Sequence, residues 1–554
     1  MLLGFLGIPE ARSQSRQRII VEPTTTLVDG TSYPYNTLLP GDTLFFRGGN
    51  RPYLLIRNFK GQSKKPIKFM NIYGAVIFNT DWYYGIVLRN CKYVRLSGSG
   101  DPNYFYGFII QRVQNGAGLS VGDLSSDFEV DHVYISNVSI AGVYAKTDPD
   151  CSFTSTRDKF TQCNTIFHDN YIENTGDEGM YIGSSFYNGK TITCNGKDTL
   201  VYPSLLIGVR VYNNIVKHTG WDGIQVASAY NNCKIYNNLV MYDSQDGQEW
   251  QMSGILIGGG SNCDCYNNYI YKGKGDGIES LGRGGYRIFN NIIVDAGRSF
   301  YSSDPSKMKH GIYVGDVSTE PNSSFHVLFN DIINPKTSGI RFSSVLSKNN
   351  LIASNAIINP GGGTNSYIVV TSPSCSVQIK NNYTSMTLNG AGFADTIYNL
   401  LPTSPLINAG YYDNKKITFD YSYHPRPFNE AFDIGSDEYN PNYNFRITLE
   451  SEEELAREDA TLEDNSGAIE QQPLVYPNPV RNSLTIQFTL DSTENIVLDF
   501  YNMEGNRIYH TERDGLAEGE QSIVVDVAMF PMGICLYTLR AGRQAFSGRF
   551  TKIN

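Results

Sequence analysis

Carboxylate residues recur immediately before glycine in a series of similar short phrases. In each phrase the glycine is followed by an alternating apolar run, as in Asp222-Gly-Ile-Gln-Val226 and Asp276-Gly-Ile-Glu-Ser280. The residues that precede the glycines are Asp177 with Glu178, Asp222, Ser253, Asp276 and His310. If each phrase is one turn of a repeating fold, Asp177 and Asp222 lie about 5 Å apart, and Asp276 lies about 10 Å from Asp222. Carboxylates at that spacing raise one another's pKa, share a calcium ion, or act as acid and base toward a glycoside.

Residues beside this column add a cation and aromatic surfaces. Lys217 and Trp221 stand near Asp222, and Trp250 lies in the loop of the following turn. A groove with carboxylates, a lysine and indole faces suits an acidic or neutral polysaccharide. The candidate catalytic residues are therefore Asp177, Glu178, Lys217, Asp222, Asp276 and His310. The candidate substrate-binding residues are Trp221 and Trp250, and the candidate calcium ligands are Asp177 and Asp222.

The same pattern has a purely structural interpretation. Aspartate before glycine at the start of a strand is a common turn residue, because its carboxylate accepts hydrogen bonds from nearby backbone N–H groups. His310 fits a turn equally well, and Lys217 fits a solvated surface. The two interpretations stay open at this point, and calcium is the cofactor that the functional one suggests.

The elements that carry these residues belong to a repeat. One phrase occurs as Val211-Tyr-Asn-Asn-Ile-Val216, Ile235-Tyr-Asn-Asn-Leu-Val240, Cys265-Tyr-Asn-Asn-Tyr-Ile270 and Ile288-Phe-Asn-Asn-Ile-Ile293. The first asparagines are 24, 30 and 23 residues apart, and the phrases are rich in β-branched and aromatic residues without helical spacing. Such a period indicates a solenoid. Leucine-rich repeats need leucine at fixed positions and a helical segment, so the pattern favours a parallel β-helix.

The asparagine pair has a predicted structural role in that fold. Coils stack at about 4.8 Å, so identical residues at one coil position form columns. Stacked amide side chains hydrogen-bond along the axis where a turn interrupts the backbone ladder. We expect the first asparagine of each pair to form this ladder and to set the register of the coils: Asn213, Asn237, Asn267 and Asn290.

Composition excludes several classes of protein. The chain has 554 residues, 53 glycines, 38 tyrosines, 18% charged residues and a formal net charge of −10. This turn-rich, acidic composition suits a secreted all-β protein and argues against nucleic-acid binding. No run of about 20 apolar residues is present, so no transmembrane helix is predicted. We expect a monomer.

The two most unusual segments lie outside the repeats. Residues 1–15 begin with an apolar stretch and are interpreted as the remnant of a signal peptide. Residues 443–472 hold a dense run of acidic side chains and are interpreted as a solvated linker.

Nine cysteines are an odd number, so at least one lacks an intramolecular disulfide partner. Cys233 and Cys263 each lie four residues before the first asparagine of a pair, which places them on adjacent coils. They either pair or remain buried thiols. Cys151, Cys163 and Cys194 lie in or beside irregular insertions, where a disulfide would staple a loop. The spacing of cysteine and histidine does not predict structural zinc.

Residues 16–403 are predicted to form a parallel β-helix with an N-terminal cap. Roughly residues 28–400 of it resemble right-handed parallel β-helix proteins with the pectin-lyase type of fold. The resemblance rests on the repeat pattern and on the turn Pro40-Gly-Asp42 before the first coil. Insertions at 146–163, 184–204 and 243–252 interrupt the middle coils and are expected to wall a binding groove. The resemblance implies a lyase with a Lys or Arg base and calcium, or a hydrolase with two or three Asp. The polygalacturonase set of Asn-Thr-Asp, Asp-Asp and Gly-His-Gly is not found.

Residues 404–442 depart from the repeat. Ser404-Pro-Leu-Ile-Asn-Ala-Gly410 and Phe432-Asp-Ile-Gly-Ser-Asp-Glu438 resemble the closing motif of many bacterial surface β-helix proteins, with Ser436 in place of the usual alanine. A last coil without a cap would expose a strand edge and an apolar core. We therefore assign structural ion pairs and turns to Asp420, Arg426, Asp433 and Glu438.

Residues 473–554 form a separate module with short strands and glycine at the turns, which predicts a small β-sandwich. Tyr476-Pro-Asn-Pro479, Phe500-Tyr-Asn-Met-Glu-Gly505 and Phe530-Pro-Met-Gly533 closely resemble the C-terminal sorting domain of the type IX secretion system; Cys535 departs from that pattern. The resemblance implies export by that machinery to the outer surface of a Gram-negative bacterium or to the medium.

The fold class predicted for the whole chain is all-β, a single-stranded right-handed parallel β-helix followed by a small C-terminal β-sandwich. Two functions fit it. In the first, the protein is a secreted or surface enzyme, a lyase or hydrolase, that acts on polysaccharide in a groove over the middle coils. In the second, it is a non-catalytic adhesin or glycan-binding protein.

Overall fold

The structure is a computed structural model, and it describes residues 18–394, 398–411, 416–428, 431–440, 473–476, 480, 482–502, 507–531, 533–541 and 544–552. The predicted signal remnant 1–15 and the whole of the predicted linker 443–472 lie outside the described residues. Within the described ranges the chain is built of β-strands and four short 3-10 helices, at Tyr35–Thr37, Pro305–Lys307, Thr364–Ser366 and Leu388–Ala391. No helix among the described residues is long and apolar enough to cross a membrane.

The strands of the first coils are β1 (Ile20–Val21), β2 (Leu27–Asp29), β3 (Thr43–Arg51), β4 (Leu54–Arg57), β5 (Ile67–Thr80), β6 (Tyr84–Arg89), β7 (Lys92–Ser97), β8 (Phe108–Val113), β9 (Ala117–Gly122), β10 (Ser126–Asp131), β11 (Val133–Val138), β12 (Val143–Ala145), β13 (Thr161–Cys163), β14 (Thr165–His168), β15 (Tyr171–Thr175), β16 (Met180–Ile182), β17 (Lys190–Cys194), β18 (Lys197–Val201) and β19 (Leu205–Ile207).

The strands of the later coils are β20 (Arg210–Tyr212), β21 (Ile215–Thr219), β22 (Ile224–Val226), β23 (Ala229–Asn231), β24 (Cys233–Tyr236), β25 (Leu239–Met241), β26 (Ser253–Ile257), β27 (Cys263–Tyr266), β28 (Tyr269–Tyr271), β29 (Asp276–Ser280), β30 (Tyr286–Phe289), β31 (Ile292–Val294), β32 (Ile312–Val314), β33 (Phe325–Leu328), β34 (Asp331–Ile333), β35 (Ile340–Phe342), β36 (Asn350–Ala353), β37 (Ala356–Ile358), β38 (Ile368–Val370), β39 (Val377–Lys380) and β40 (Tyr383–Ser385).

Most of these strands stack into three parallel faces that the chain visits in turn. Strands β13, β19 and β23 form a short separate parallel sheet, and β17 and β18 form an antiparallel pair. Sheet 1 contains β2, β4, β6, β9, β12, β16, β22, β26, β29, β32, β35 and β38. Sheet 2 runs along β7, β10, β14, β20, β24, β27, β30, β33, β36 and β39, and sheet 3 along β8, β11, β15, β21, β25, β28, β31, β34, β37 and β40. The long strands β3 and β5 pass through the corner between sheets 2 and 3 and join them. The chain folds as the right-handed parallel β-helix that the sequence predicts.

One coil, formed by β20, β21 and β22, illustrates how the sequence makes this fold. Val211, Val216 and Ile224 are each fully buried, one on each face, and their neighbours in the strands alternate outward. The partners of Val211 in the next coils are Ile235, Cys265 and Ile288, so the apolar positions form continuous inward columns. Because one coil cannot bury these residues alone, stacking creates the core.

The asparagine ladder exists, but the sequence prediction assigned it to the wrong residue of each pair. The second asparagine is buried, and its amide Nδ2 donates to the Oδ1 of its equivalent on the next coil at 2.8 to 3.1 Å. The ladder runs through Asn170, Asn214, Asn238, Asn268, Asn291, Asn330, Asn355 and Asn382.

The first asparagine of each pair has a different role. Asn213, Asn237, Asn267 and Asn290 have φ between 52° and 55°. Asparagine tolerates this left-handed conformation better than most residues, because its short polar side chain bonds locally. The first asparagine therefore turns the backbone, and the second joins the coils.

The disulfide expectations are met where the structure describes them. Cys233 and Cys263 form a disulfide between adjacent coils, which decides the alternative left open by the sequence. Cys151 pairs with Cys194 and so connects two insertions. Cys91, Cys265, Cys375 and Cys535 are buried thiols.

The described part of segment 398–440 runs from the last coils back along the corner that carries the asparagine ladder. Asn381 donates to the carbonyl of Ala409 at 2.9 Å, and Asn290 donates to that of Phe419 at 2.9 Å. Arg426 and Glu438 form a fully buried ion pair of 2.8 Å. The described part of 398–440, here called the flank segment, therefore covers the flank of the helix. It is held there by the ion pair and the turns expected from its sequence.

The C-terminal module is a sandwich of two antiparallel sheets. The first contains β41 (Leu474–Tyr476), β42 (Ser483–Leu490) and β45 (Gly519–Asp526). The second contains β43 (Glu494–Tyr501), β44 (Arg507–Leu516), β46 (Gly533–Ala541) and β47 (Gln544–Lys552). Phe488, Leu498, Phe500 and Leu539 form part of its core, as the predicted sandwich requires.

We expect Asn238→Ala to lower the free energy of unfolding by about 2–4 kcal/mol, because it leaves the buried partners of its side-chain hydrogen bonds unsatisfied. Asn238 donates to Asn268 and to the carbonyl of Val211, and it accepts from Asn214. The measurement is urea unfolding followed by circular dichroism. Asn213→Gly is the matched control, because glycine adopts its φ of 54° without strain. Equal losses in both variants would contradict the ladder.

Candidate functional site

Four insertions flank the middle of sheet 1. Those at 146–160 and 183–204 follow strands β12 and β16, so they leave at one edge of the parallel sheet. Those at 242–252 and 295–311 precede β26 and β32, so they lie at the opposite edge. The disulfide Cys151–Cys194 joins the first pair, and Lys307 pairs with Glu249 at 2.9 Å across the second. The outer face of sheet 1 is therefore a strip between two walls. The structure has four insertions here, one more than the sequence analysis identified.

The floor of this strip is a column of side chains from the centre of each strand. Inward neighbours such as Ile224 and Val226 are fully buried, so the residue between them faces outward. The register aligns Tyr144, Tyr181, Gln225, Leu256, Glu279, Tyr313 and Arg341. Tyr144 and Tyr181 have ring centroids 5.6 Å apart, and the Lys146 ammonium lies 4.2 Å from the centroid of Tyr181. The floor thus combines aromatic rings with both signs of charge.

The column before the glycines lies along one edge of this floor. Gly179 N–H donates to the carbonyl of Asp222, and Gly223 N–H donates to that of Ser253, each at 2.9 Å. A Cβ at Gly179 would lie 2.3 Å from Val216 and 2.5 Å from the Gly223 carbonyl, so no other residue fits. The predicted column therefore exists, with a one-residue correction.

The correction concerns the first acidic pair. Glu178, and not Asp177, lies opposite Asp222, because strand β16 pairs with β22 in the register Met180 to Ile224. The carbonyl of Asp177 instead accepts from Trp221 N–H at 3.1 Å. Burial and the nearby Asp246 raise the pKa of Asp177. The predicted contact between the Asp177 and Asp222 carboxylates is thus wrong by one position.

Asp222 lies near Glu178, Asp243 and Glu279, and Glu279 lies near Asp276; these five residues are here called the cluster. Several buried side-chain oxygens in the cluster and beside it have no protein hydrogen-bond donor. They are both carboxylate oxygens of Asp222 and single side-chain oxygens of Glu178, Gln225 and Asp243. Asp222 is fully buried, and burial with the charges of Glu279, Glu178 and Asp243 raises its pKa well above the ordinary value. Burial raises the pKa of Glu178 to about 7 and that of Asp243 to about 6. The cluster therefore holds protons at neutral pH, or else a cation compensates its charge.

Glu279 is the member of the cluster that is partly exposed on the floor. Burial and the neighbouring Asp276 raise its pKa to about 7, and its Oε2 accepts from the Ser253 hydroxyl at 2.7 Å. A carboxyl group with this pKa can donate and accept protons near neutral pH.

Lys309 and His310 sit against Asp276. Lys309 Nζ donates to Asp276 at 3.1 Å, and the His310 backbone N–H donates to it at 2.6 Å. Burial opposes the charge of Lys309, yet Asp276 and Glu279 outweigh it and raise the pKa of Lys309. Burial lowers the pKa of His310 to about 4, so its ring, which bonds to the Thr337 hydroxyl at 2.7 Å, is neutral at pH 7. Asp276 is thus occupied by local partners, as the turn interpretation expects.

The other candidate residues are distributed over different surfaces. Lys217 belongs to sheet 3, where its ammonium pairs with Glu173 at 3.1 Å and lies 5.0 Å from the centroid of Tyr171. The structure does not bring it onto the walled face. Trp221 is half-buried beside Asp222, and Trp250 is 83% exposed on the wall at 242–252.

Among the described residues, two groups bring three possible metal ligands within 4.8 Å of one another: Glu129, Asp131 and His168, and Asp420, His424 and Asp437. Arg95 donates to Asp131 at 2.7 Å, and Arg426 donates to the carbonyl of Asp437 at 2.6 Å, so each group already contains or adjoins a guanidinium. Neither group includes Asp177 or Asp222, and calcium at those two residues stays a prediction.

Sequence reasoning missed Gln225, Glu279, Tyr313 and Lys309. The signal for three of them is present in the repeated phrase, because the residue after Gly-Ile is Gln, Glu or Tyr at 225, 279 and 313. Period-two alternation places that residue outward when the preceding Ile is inward. Lys309 carries no such signal, since an insertion of variable length positions it.

Residues 474–552 match the family described as the secretion system C-terminal sorting domain. A search of curated proteins by sequence returns no match. The β-helix is similar to solved structures of an alginate lyase from Paenibacillus, with 11% identity over 55% of this chain and 93% of that chain and a TM-score of 0.34. It is also similar to a pectate lyase, with 12% identity over 75% of this chain and 97% of that chain and a TM-score of 0.35. A mannuronan C-5 epimerase module from Azotobacter vinelandii has 13% identity over 62% of this chain and 87% of that chain and a TM-score of 0.34.

The fold and the matched module together define an exported parallel β-helix protein. Its C-terminal β-sandwich is a type IX secretion sorting domain, which implies the secretion machinery as a partner and a secreted or cell-surface location.

The pKa of Glu178 predicts how stability depends on pH. Its folded-state pKa of about 7 exceeds the ordinary 4.5, so the folded state binds more protons and the free energy of unfolding falls as pH rises from about 4.5 through 7. We expect Glu178→Gln to gain on the order of 1–3 kcal/mol over the wild type at about pH 8 and little at about pH 5. Urea unfolding at both pH values measures this.

Glu320→Gln is the control for that measurement, because Glu320 is half-exposed and pairs with Arg283 at 2.5 Å outside the cluster. Its effect should not grow between the two pH values. A Glu178→Gln effect of the same size at both would show that Glu178 is ionised throughout.

Proposed function

We propose that this protein is an enzyme on the outer surface of a Gram-negative bacterium, or released from it, that hydrolyses polysaccharide on the walled face of sheet 1. The observation that carries the proposal is Glu279: a partly exposed carboxyl group with a pKa of about 7, at the end of a buried carboxyl cluster. The protein is expected to act as a monomer.

Glu279 serves as the general acid in this proposal. Glycosidases need one carboxyl group that is protonated at working pH and a second that is ionised. The cluster supplies the excess of carboxyl groups, because Asp222, Asp276 and Glu279 share one lysine, Lys309, and Glu178 adds a further carboxyl group beside Asp222. Glu279 donates its proton to the leaving oxygen as the glycosidic bond breaks, and water then adds to the sugar carbon and returns a proton to Glu279. The ionised fraction of the cluster favours the positive charge that develops on the sugar ring.

The floor residues are suited to hold the glycan. Tyr313 follows Glu279 directly in the floor column and Tyr181 lies three strands before it, and both present partly exposed rings to sugar faces. Lys146 and Arg341 add positive charge toward the two ends of the same column, so a chain that carries some acidic sugars is accommodated. Trp250 on the wall provides a further aromatic surface.

A bound calcium ion is the second way in which the negative charge of the cluster can be compensated in this proposal. Asp222, Glu178 and Gln225 offer side-chain oxygens without protein donors, and hard cations bind through oxygen ligands alone. A bound calcium ion would supply positive charge to an acidic substrate group. In that case the chemistry is β-elimination from a uronate, with the neutral His310 as the nearest uncharged base. The raised pKa of Lys309 argues against lysine in that role.

The test is depolymerisation by the full chain on a panel of neutral and uronate-containing polysaccharides, with calcium and with chelator. New reducing ends without absorbance of an unsaturated product support hydrolysis; the same ends with that absorbance, lost on chelation, support the lyase. Glu279→Gln should lower the rate by about 10²–10⁴-fold. Activity should fall above about pH 7 as Glu279 loses its proton.

Glu320→Gln is the matched control and should retain wild-type rates, because it replaces a carboxylate outside the cluster. Unchanged activity in Glu279→Gln would exclude Glu279 as the acid. A folded protein without activity on the whole panel, yet retained by a polysaccharide column, would favour the alternative of a non-catalytic glycan-binding protein or adhesin.

A further inference from the structure

The two central strands of the four-stranded sheet of the sorting domain, β43 and β46, carry buried side chains on both faces. One face, with Phe500, Tyr537 and Leu539, packs into the sandwich core. Residues one position away in the same strands face the opposite side, and Tyr501 and Leu536 there are 0% and 3% exposed. A small exported sandwich ordinarily presents polar side chains on an outer sheet face. Burial of both faces indicates that something outside the sandwich covers the second one.

The β-helix provides that cover. Phe105 and Tyr106 precede strand β8, and the ring centroids of Phe105 and Tyr501 are 5.3 Å apart with an edge-to-face tilt. The Tyr501 hydroxyl donates to the carbonyl of Pro102 at 2.9 Å. Leu536 joins the same apolar cluster. The helix side of this cluster, here called the docking stripe, consists of Phe105, Tyr106, Tyr171, Ile215 and Leu239.

A charged contact adds orientation to this apolar one. Arg549 of strand β47 donates through Nη2 to the carbonyl of Asn237 at 2.6 Å. Asn237 is also held by the flank segment, since the Tyr423 hydroxyl donates to its Oδ1 at 2.8 Å. The Arg549 guanidinium therefore contacts the corner where the helix and the flank segment meet. This contact is separate from that of Tyr501, which lies on another strand of the same sheet.

The docking stripe is produced by the repeat itself. Tyr171, Ile215 and Leu239 occupy one register position on successive strands of sheet 3. At the next strands this position holds Tyr269, which packs against both the docking stripe and the flank segment, and Ile292, which packs against the flank segment. The apolar column of sheet 3 is thus covered over part of its length by the flank segment and over the adjacent part by the sorting domain.

We propose that the docking stripe is a specific binding surface for the protein's own sorting domain, so that the exported chain carries the sorting domain bound to the helix rather than only tethered by residues 443–472. Apolar burial supplies the affinity, and Arg549 and the Tyr501 hydroxyl set the orientation. Departure of the sorting domain uncovers the stripe. The proposal does not depend on the catalytic function.

The experiment uses the full chain with a site for a specific protease inserted in residues 443–472, cleaved after folding and analysed by gel filtration. In the otherwise wild-type chain we expect the two fragments to elute together. Phe105→Ser on the helix and Leu536→Asp on the sorting domain should each lower the fraction of sorting domain that elutes with the helix at least tenfold. Separation of the two fragments in the otherwise wild-type chain would overturn the proposal.

Val524→Asp is the matched control, because Val524 lies on the other sheet of the sandwich and is 62% exposed. It should leave co-elution unchanged, and loss of co-elution in this variant would mean that the contact is not the one described. Circular dichroism of each cleaved variant distinguishes lost docking from an unfolded module. Because Phe105→Ser and Leu536→Asp alter different modules, loss of binding in both with both modules folded supports the docking stripe.

Discussion

The contact between successive coils is the constraint on which the rest of this molecule depends. Inward apolar residues stack on their equivalents, and the amide ladder from Asn170 to Asn382 fixes which residues are equivalent. A slip of one residue would turn each inward column outward, so register is strongly specified. The ring stack of Tyr212, Tyr236 and Tyr266, with centroids 4.9 to 5.0 Å apart, and the disulfide Cys233–Cys263 are consequences of the same alignment.

This alignment also creates the electrostatic problem that makes the candidate site chemically unusual. Glu178 and Asp222 are brought to adjacent coils, and the Ser253 hydroxyl holds Glu279 in the same cluster. Burial removes the water that would solvate their charges, so their pKa values rise. Such a cluster costs stability at neutral pH unless protons or a cation compensate it. Proteins retain strain of this kind mostly at functional sites, which is why the walled face of sheet 1 carries the proposed activity.

The three faces of the helix are treated differently by the rest of the chain. The corner between sheets 2 and 3 is covered by the flank segment, and part of sheet 3 is covered by the sorting domain. The flank segment and the sorting domain each cover apolar columns that would face solvent if the coils were only stacked. Sheet 1 instead has insertions along its two edges, and its central column remains partly exposed at Tyr181, Glu279 and Tyr313. The walled strip of sheet 1 is therefore the surface on which the proposed function is placed.

The sequence by itself determined the β-helix, the sorting domain and the existence of a column before the glycines, because each depends on a local pattern that repeats. It also showed the asparagine pairs but not which member forms the ladder, since both choices have the same spacing. The repeated phrase also placed Glu178 directly before Gly179 and Glu279 directly after Gly-Ile, as the register of the strands confirms. Tertiary structure alone decided that Lys217 lies on another sheet and that Lys309 joins the cluster. The physical reason is that these contacts depend on how insertions of unequal length return to the helix, and on burial, which no single stretch of sequence encodes.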